Sequence, residues 1–219
     1  MEAFELCQII EKNQVIPGDV LVAYSSSAAE KSALLGYSHA AICCGEGVIA
    51  ESCVRGVRKN TIDELLEEYE HIAVFRQIHF WNESRLIKLN EFIDTAIASE
   101  ARFNSQGIRD YEKAKIEHEI NLQEKLTKFF DDEFEYPDPN QGVYFCSELV
   151  AAAFIAVGIL APSAAVVFDP RVMSPLDLAR DATYGLFVGY LIPYEGYTIS
   201  KEDPFYYQQS LDYILRNGT

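Results

Sequence analysis

The sequence has no segment that would carry the chain to a membrane or hold it there. Its first residues, Met1 to Ile10, lack the basic start and the long apolar stretch of a signal peptide. No uninterrupted apolar run approaches the roughly 20 residues that a membrane-spanning helix needs. These absences predict a soluble, cytoplasmic protein without a membrane span.

Basic residues are scarce. Lys and Arg together number 18 against 34 Asp and Glu, a net charge of −16 with neutral His. A protein of that charge repels phosphate backbones and anionic lipid surfaces, so we do not expect nucleic acid as a partner. The acidic runs Glu64 to Glu70 and Asp131 to Glu135 show no ion-binding loop pattern and are interpreted as solvated helix faces and loops.

Paired cysteines are also missing. The five cysteines are odd in number and have no framework spacing, which favours a reducing compartment over a disulfide-bonded fold. Cys43, Cys44, Cys53 and His39 lie near each other in sequence. However, adjacent strand residues point to opposite faces and there is no Cys-x2-Cys pair, so we predict neither a metal site nor a cofactor.

The 219 residues, 49% of them hydrophobic, are sufficient for one compact catalytic domain over 1–219. Apolar and β-favouring runs predict strands at Val20 to Tyr24, His39 to Cys44, Val48 to Cys53, Ile72 to Gln77 and Gly185 to Pro193. Helical periodicity predicts helices over about Glu83 to Phe103, about Asp110 to Phe130, Phe145 to Val157 and a short one at Ser174 to Ala179. The charged stretch 105–141 is interpreted as a helical insertion or lid.

Two residues in this framework are candidates for chemistry. Cys146 falls in the first turn of a predicted apolar helix, where the partial positive charge of the helix N-terminus favours a thiolate. His39 opens a predicted strand, where a neutral imidazole can serve as a base. The alternatives are that Cys146 is a small buried side chain and that His39 is structural. The other three histidines, His71, His79 and His118, are interpreted as surface or packing residues.

A catalytic histidine usually needs a third group to orient its ring. If Gly45-Glu46-Gly47 forms a three-residue hairpin loop, Glu51 lies diagonal to His39 on the same face of the sheet. A two-residue loop of Gly45-Glu46 would instead place Ser52 opposite the histidine. Glu51 is therefore the preferred orienting residue, Ser52 the second choice, and a solvent-facing Glu51 the alternative to both.

Three motifs together resemble a known family. They are Pro17-Gly-Asp19 before a strand, Ser38-His39-x5-Gly45-x-Gly47-x3-Glu51, and Tyr144-Phe-Cys-Ser-Glu-Leu-Val150. In this order they resemble the circularly permuted NlpC-type papain-fold hydrolases, also called YiiX- or YaeF-like, over about residues 15–193. The resemblance implies an α+β fold in which an antiparallel sheet or small barrel packs against the helix that carries the cysteine.

The resemblance also implies a function. Cys146 would be the nucleophile, His39 the base and Glu51 the third residue of a hydrolase that cleaves amide bonds in short or cell-wall-type peptides. The backbone N–H of Cys146 would stabilise the oxyanion, with Tyr24 a second candidate donor or else a core tyrosine. Ser38 and Tyr144, beside the catalytic pair, are candidate substrate-binding residues. A lipid acyltransferase of the lecithin:retinol acyltransferase type and a non-catalytic binding module are the alternatives.

Overall fold

The computed structural model describes residues 7–29, 35–135 and 138–217. It is an α+β protein with a six-stranded antiparallel sheet, which confirms the predicted class. The sheet order is β4-β3-β2-β1-β5-β8, and a separate parallel pair joins β6 and β7. The strands are β1 (Val20–Tyr24), β2 (Tyr37–Gly45), β3 (Val48–Cys53), β4 (Gly56–Thr61), β5 (His71–Arg76), β6 (Arg102–Phe103), β7 (Val143–Tyr144) and β8 (Leu186–Leu191).

The predicted strand at Val20 is central in the sheet. β1 pairs antiparallel with β2 on one side and with β5 on the other. Residues Val20 to Ala23 are all fully buried, so other parts of the protein cover both faces of this strand. Leu21 and Ala23 share one core face with residues at every second position of β2 and β5. The sequence signal that predicted β1 was its continuous apolar run, which fits a strand buried on both faces.

The Pro17-Gly-Asp19 motif anchors this central strand. Asp19 is only 1% exposed and accepts two hydrogen bonds from Arg76, from Nε at 2.8 Å and from Nη2 at 2.7 Å. Its carboxylate also accepts from the backbone N–H of Ile16 at 2.9 Å. The motif therefore has a structural function: a buried, paired carboxylate joins the start of β1 to the end of β5.

The hairpin between β2 and β3 turns at Glu46-Gly47, so both predicted loops are wrong. The strands end at Gly45 and begin at Val48, and Glu46 and Gly47 have φ of 52° and 74°. Two consecutive positive φ values are typical of the tight turn whose twist matches that of a hairpin. Ile49 of β3 packs in the same core cluster as Ala41 and Cys43 of β2. The placement of Glu51 diagonal to His39 stays a prediction, as does the role that the family resemblance gives it.

The chain divides into two compact units. The first contains residues 1–50, 59–81 and 175–219, and the second contains residues 51–58 and 82–174. The prediction of one catalytic domain stays a prediction. No helix in the described ranges is long and apolar enough to cross a membrane.

The first unit carries most of the sheet and four helices. The acidic run at Glu64 belongs to a helix whose apolar residues Ile62, Leu65 and Leu66 are buried, so its acidic residues form the solvated face, as predicted. Part of the Ser- and Ala-rich stretch 25–36 is helical, and residues 30–34 of it lie outside the described residues. The helices are α1 (Ser26–Ala29), α2 (Ile62–Glu68), α7 (Pro175–Arg180) and α8 (Leu211–Asn217).

The second unit is mainly helical, with α3 (Glu83–Ala98), α4 (Ser105–Ile120), α5 (Leu122–Phe130) and α6 (Cys146–Ala156). The single helix predicted over 110–130 is in fact two helices that meet at Asn121, which ends α4 and begins α5. Asparagine favours such ends because its side chain competes for backbone hydrogen bonds. Both helices lie within the stretch 105–141 interpreted as an insertion or lid, of which Tyr136 and Pro137 lie outside the described residues.

Candidate functional site

Cys146 is the first residue of α6. The preceding Phe145 is extended, with φ −89° and ψ 175°, so the chain leaves β7 and enters the helix at the cysteine. Within the described residues the thiol forms no disulfide, and the residue is 6% exposed. At this position the aligned peptide dipoles of the 11-residue helix favour a negative charge on sulfur. The predicted location of Cys146 at a helix start is confirmed.

A buried carboxylate holds this helix start in place. Glu148 is fully buried and accepts hydrogen bonds from the Phe145 N–H at 3.0 Å, Asn104 Nδ2 at 3.1 Å and Gln141 Nε2 at 2.7 Å. Burial raises the pKa of Glu148, although these hydrogen bonds partly oppose the shift. Sequence reasoning overlooked this residue, yet a glutamate at the third helical position is a known capping signal.

The end of β3 is connected to the strand before the cysteine. The Ser52 hydroxyl donates to the Tyr144 carbonyl oxygen at 2.7 Å. Tyr144 is itself 1% exposed, its hydroxyl donates to the Pro139 carbonyl, and burial raises its pKa to about 12. The hydrogen bond from Ser52 positions the backbone two residues before Cys146.

Glu51 is buried, so the solvent-facing alternative is wrong. The residue is 1% exposed, and its Oε1 accepts from Arg58 Nε at 2.8 Å and Nη2 at 2.7 Å. A buried carboxylate requires such a partner because an uncompensated charge away from water is costly. Arg58 was not recognised in the sequence, where nothing marks it as different from the other arginines.

His39 lies on β2, opposite Ala23 of β1. It is 7% exposed, and its ring stacks on Tyr69 with centroids 5.3 Å apart and planes 9° from parallel. The stacking on Tyr69 fixes the plane of the imidazole. Ser38, the neighbouring candidate, is half-buried at a register shift of the β1–β2 pairing.

Tyr24 stacks on His71 within the first unit, with ring centroids 4.4 Å apart. Burial, followed by nearby carboxylates, raises the pKa of Tyr24. These contacts agree with the reading of Tyr24 as a packing tyrosine, and its part in oxyanion binding stays a prediction.

His71 is the centre of a buried polar network that sequence reasoning did not detect. Its Nε2 lies 3.3 Å from Asp203 Oδ2 and its Nδ1 lies 3.1 Å from the Tyr197 hydroxyl. Asp203 also accepts from the hydroxyls of Tyr37 at 2.8 Å and Tyr190 at 2.5 Å. His71 is therefore buried, its interpretation as a packing rather than a catalytic residue stays a prediction, and the network attaches the segment around Asp203 to the sheet.

His118, in the second unit, is also buried, and its interpretation as a packing residue stays a prediction. It is 8% exposed, accepts at Nδ1 from Lys125 Nζ at 2.8 Å and donates from Nε2 to the Val167 carbonyl at 3.2 Å. Burial, followed by the Lys125 ammonium, lowers the pKa of His118 and favours the neutral ring. His79, by contrast, is exposed.

The candidate residues are thus distributed over both units. Cys146, Glu51 and Tyr144 belong to the second, whereas His39, Ser38 and Tyr24 belong to the first. Within the described ranges, no group of three or more His, Cys, Asp or Glu side chains is arranged to hold a metal ion.

Comparison of the chain with protein-family models, with curated proteins and with solved structures found no match. The family resemblance and the pairing of Cys146 with His39 therefore stay predictions.

Proposed function

We propose that the protein is a cysteine hydrolase with a permuted papain-like catalytic arrangement that cleaves an amide bond. In this proposal Cys146 is the nucleophile, His39 is the base and Glu51 is the third residue. The observation that carries it is the position of the Cys146 thiol, on the first residue of α6. The order of the motifs around these three residues, with the histidine before the cysteine, supports it further because it resembles that of the permuted papain-fold hydrolases.

The helix start gives Cys146 two properties that a nucleophile needs. The helix dipole favours the thiolate, which is the reactive form of cysteine. The Cys146 backbone N–H, in the first turn of α6, has no carbonyl partner within the helix and can donate to a developing oxyanion. The bond from the Phe145 N–H to Glu148 holds the preceding residue in the geometry that starts the helix.

His39 has features that suit a catalytic base. It is 7% exposed, lies within a paired strand and stacks on Tyr69. A base gains from such rigidity because proton transfer requires the ring nitrogen to stay within about 3 Å of the sulfur. Glu51 would orient the imidazole from the second ring nitrogen, while the hydrogen bonds from Arg58 hold its carboxylate in place.

The reaction is acyl transfer through a thioester. His39 first takes the thiol proton of Cys146, and the thiolate sulfur forms a bond to the amide carbonyl carbon. His39 then delivers that proton to the departing amine as the C–N bond breaks. Water, deprotonated by His39, then adds to the thioester, and Cys146 leaves as the thiolate. The products are a carboxylic acid and an amine, and no cofactor takes part.

Selective alkylation tests the nucleophile. The protein is treated with iodoacetamide between pH 5 and 8, and labelling of each cysteine is quantified by peptide mass spectrometry. We expect Cys146 to react at least about tenfold faster than Cys53, although Cys53 is the more exposed of the two. His39→Ala should abolish that advantage, and His39→Gln serves as the more conservative variant.

Equal labelling of Cys146 and Cys53, or an advantage that survives removal of the imidazole, would overturn the proposal. The reaction class is tested with the purified protein on a dipeptide panel and on phospholipid vesicles, with Cys146→Ala as the control. Thiol-dependent release of amine supports an amidase. Acyl transfer from lipid without peptide cleavage would replace it with the acyltransferase alternative.

A further inference from the structure

An open cleft of about 670 Å³ lies within the second unit. One wall is the turn between β3 and β4, which contains Val54 and Arg55. The other is the segment from the end of α3 through β6, which contains Ile97, Glu100, Arg102 and Phe103. The cleft is large enough for a small organic molecule.

The two walls are joined by a close backbone approach. The Val57 N–H donates to the Ala101 carbonyl oxygen at 3.0 Å. Gly56, with φ +95°, allows this contact, because a Cβ at that position would lie 2.7 Å from the same oxygen. The cleft is therefore formed by hydrogen-bonded backbone on both sides and is built into the fold.

The charge of the cleft differs from that of the whole chain. Two arginines, Arg55 and Arg102, line it together with one carboxylate, Glu100, whereas the protein as a whole carries −16. In the described part of the chain, neither guanidinium forms a hydrogen bond or ion pair, and both arginines are exposed. A guanidinium group can form a bidentate hydrogen bond with a carboxylate, so Arg55 and Arg102 are suited to binding an anion.

Apolar side chains accompany the arginines. Val54 is 85% exposed, and Ile97 and Phe103 line the same cleft and are half-buried. Exposed apolar surface beside charged groups is typical of a site that holds a ligand with both an apolar and a charged part. We propose that this cleft binds a small organic anion in which a carboxylate is attached to an apolar group.

The cleft is close in the chain fold to the proposed nucleophile. Phe103 of β6 pairs with Tyr144 of β7, and Cys146 follows Tyr144 by two residues. Strands lie about 4.8 Å apart and advance about 3.3 Å per residue, so the Cα atoms of Phe103 and Cys146 are within about 10 Å. If the proposed hydrolase function holds, on which this step rests, the cleft recognises a carboxylate-bearing end of the amide substrate.

Binding is tested independently of turnover. Isothermal titration of Cys146→Ala protein uses N-acetyl-phenylalanine as the anionic probe and its uncharged primary amide as the control ligand. We expect the carboxylate to bind at least about tenfold more tightly than the amide. The double variant Arg55→Gln/Arg102→Gln should remove that preference, since a bidentate hydrogen bond between a guanidinium and a carboxylate contributes at least about a tenfold difference in affinity.

Arg109→Gln is the matched control, because Arg109 is an exposed arginine that does not line the cleft. It should leave both affinities unchanged. The double variant Arg55→Lys/Arg102→Lys should retain part of the preference, because lysine keeps the positive charge but cannot form a bidentate hydrogen bond. Equal affinities for acid and amide, or a preference that the double glutamine variant retains, would overturn the proposal.

Turnover separates this inference from the proposed function. Amides with a free carboxylate should show a lower KM than their amidated counterparts, and only the cleft variants should remove that difference. Equal KM values for substrates with and without the carboxylate would refute the substrate assignment, but they would not contradict the proposed hydrolase function. Arginine-dependent binding without any thiol-dependent cleavage would keep the site and refute the hydrolase.

Discussion

Asp203→Asn tests whether the buried network around His71 stabilises the first unit. Asp203 accepts hydrogen bonds from Tyr37 and Tyr190 and from the Phe205 backbone N–H at 2.9 Å. Its Oδ2 also lies 3.3 Å from His71 Nε2. Asparagine retains one acceptor oxygen but turns an NH2 group towards donors. Hydrogen bonds to a charged group contribute about 1.5–3 kcal/mol each, so we expect a loss of about 2–4 kcal/mol at pH 7.

The sign of the pH dependence follows from the carboxylate. Burial alone would raise the pKa of Asp203, but the hydrogen bonds from His71, Tyr190 and its other partners outweigh burial and lower the pKa. A lowered pKa in the folded state contributes stability at neutral pH, and this is lost as the pH falls from about 3.9 through the folded value. The difference between Asp203→Asn and wild type should therefore shrink on acidification.

Urea unfolding followed by tryptophan fluorescence measures this difference. The chain has one tryptophan, Trp81, which lies in the same unit as Asp203. Glu202→Gln, at the exposed neighbouring residue, is the control for a change of charge and should cost less than about 0.5 kcal/mol. An Asp203→Asn variant as stable as wild type, or a difference that does not change between pH 7 and pH 3.5, would refute the reasoning.

Two further predictions concern the second unit. Arg58→Met should destabilise it by about 3–5 kcal/mol, because it removes the guanidinium that pairs with the buried Glu51 carboxylate. Calorimetry should show that adding Glu51→Gln restores part of the lost stability. Fully additive effects of the two substitutions would contradict the pairing. Gly56→Ala should lower the melting temperature more than Gly47→Ala does. Both glycines have positive φ, but only at Gly56 would the new Cβ meet a backbone oxygen, that of Ala101; equal shifts would show that this contact relaxes without cost.

The sequence itself determined the elements whose signals are local. Short apolar, β-favouring runs specified β1 and β3 at the residues where the structure has them, because such a run is visible in a few consecutive residues. The apolar run after Phe145 specified α6 and placed Cys146 at its start. Much of the fold class and the location of the proposed nucleophile were therefore predictable.

Only the tertiary structure decided the features that depend on distant partners. The sequence permits a turn at Gly45-Glu46-Gly47, at Gly45-Glu46 or at Glu46-Gly47. The twist of the paired strands selects the turn at Glu46-Gly47. The burial of Glu51 follows from Arg58, and the environment of His71 follows from Asp203, 132 positions away. Such pairs have no periodic signature, since the energy of a buried charge depends on the groups that folding brings beside it.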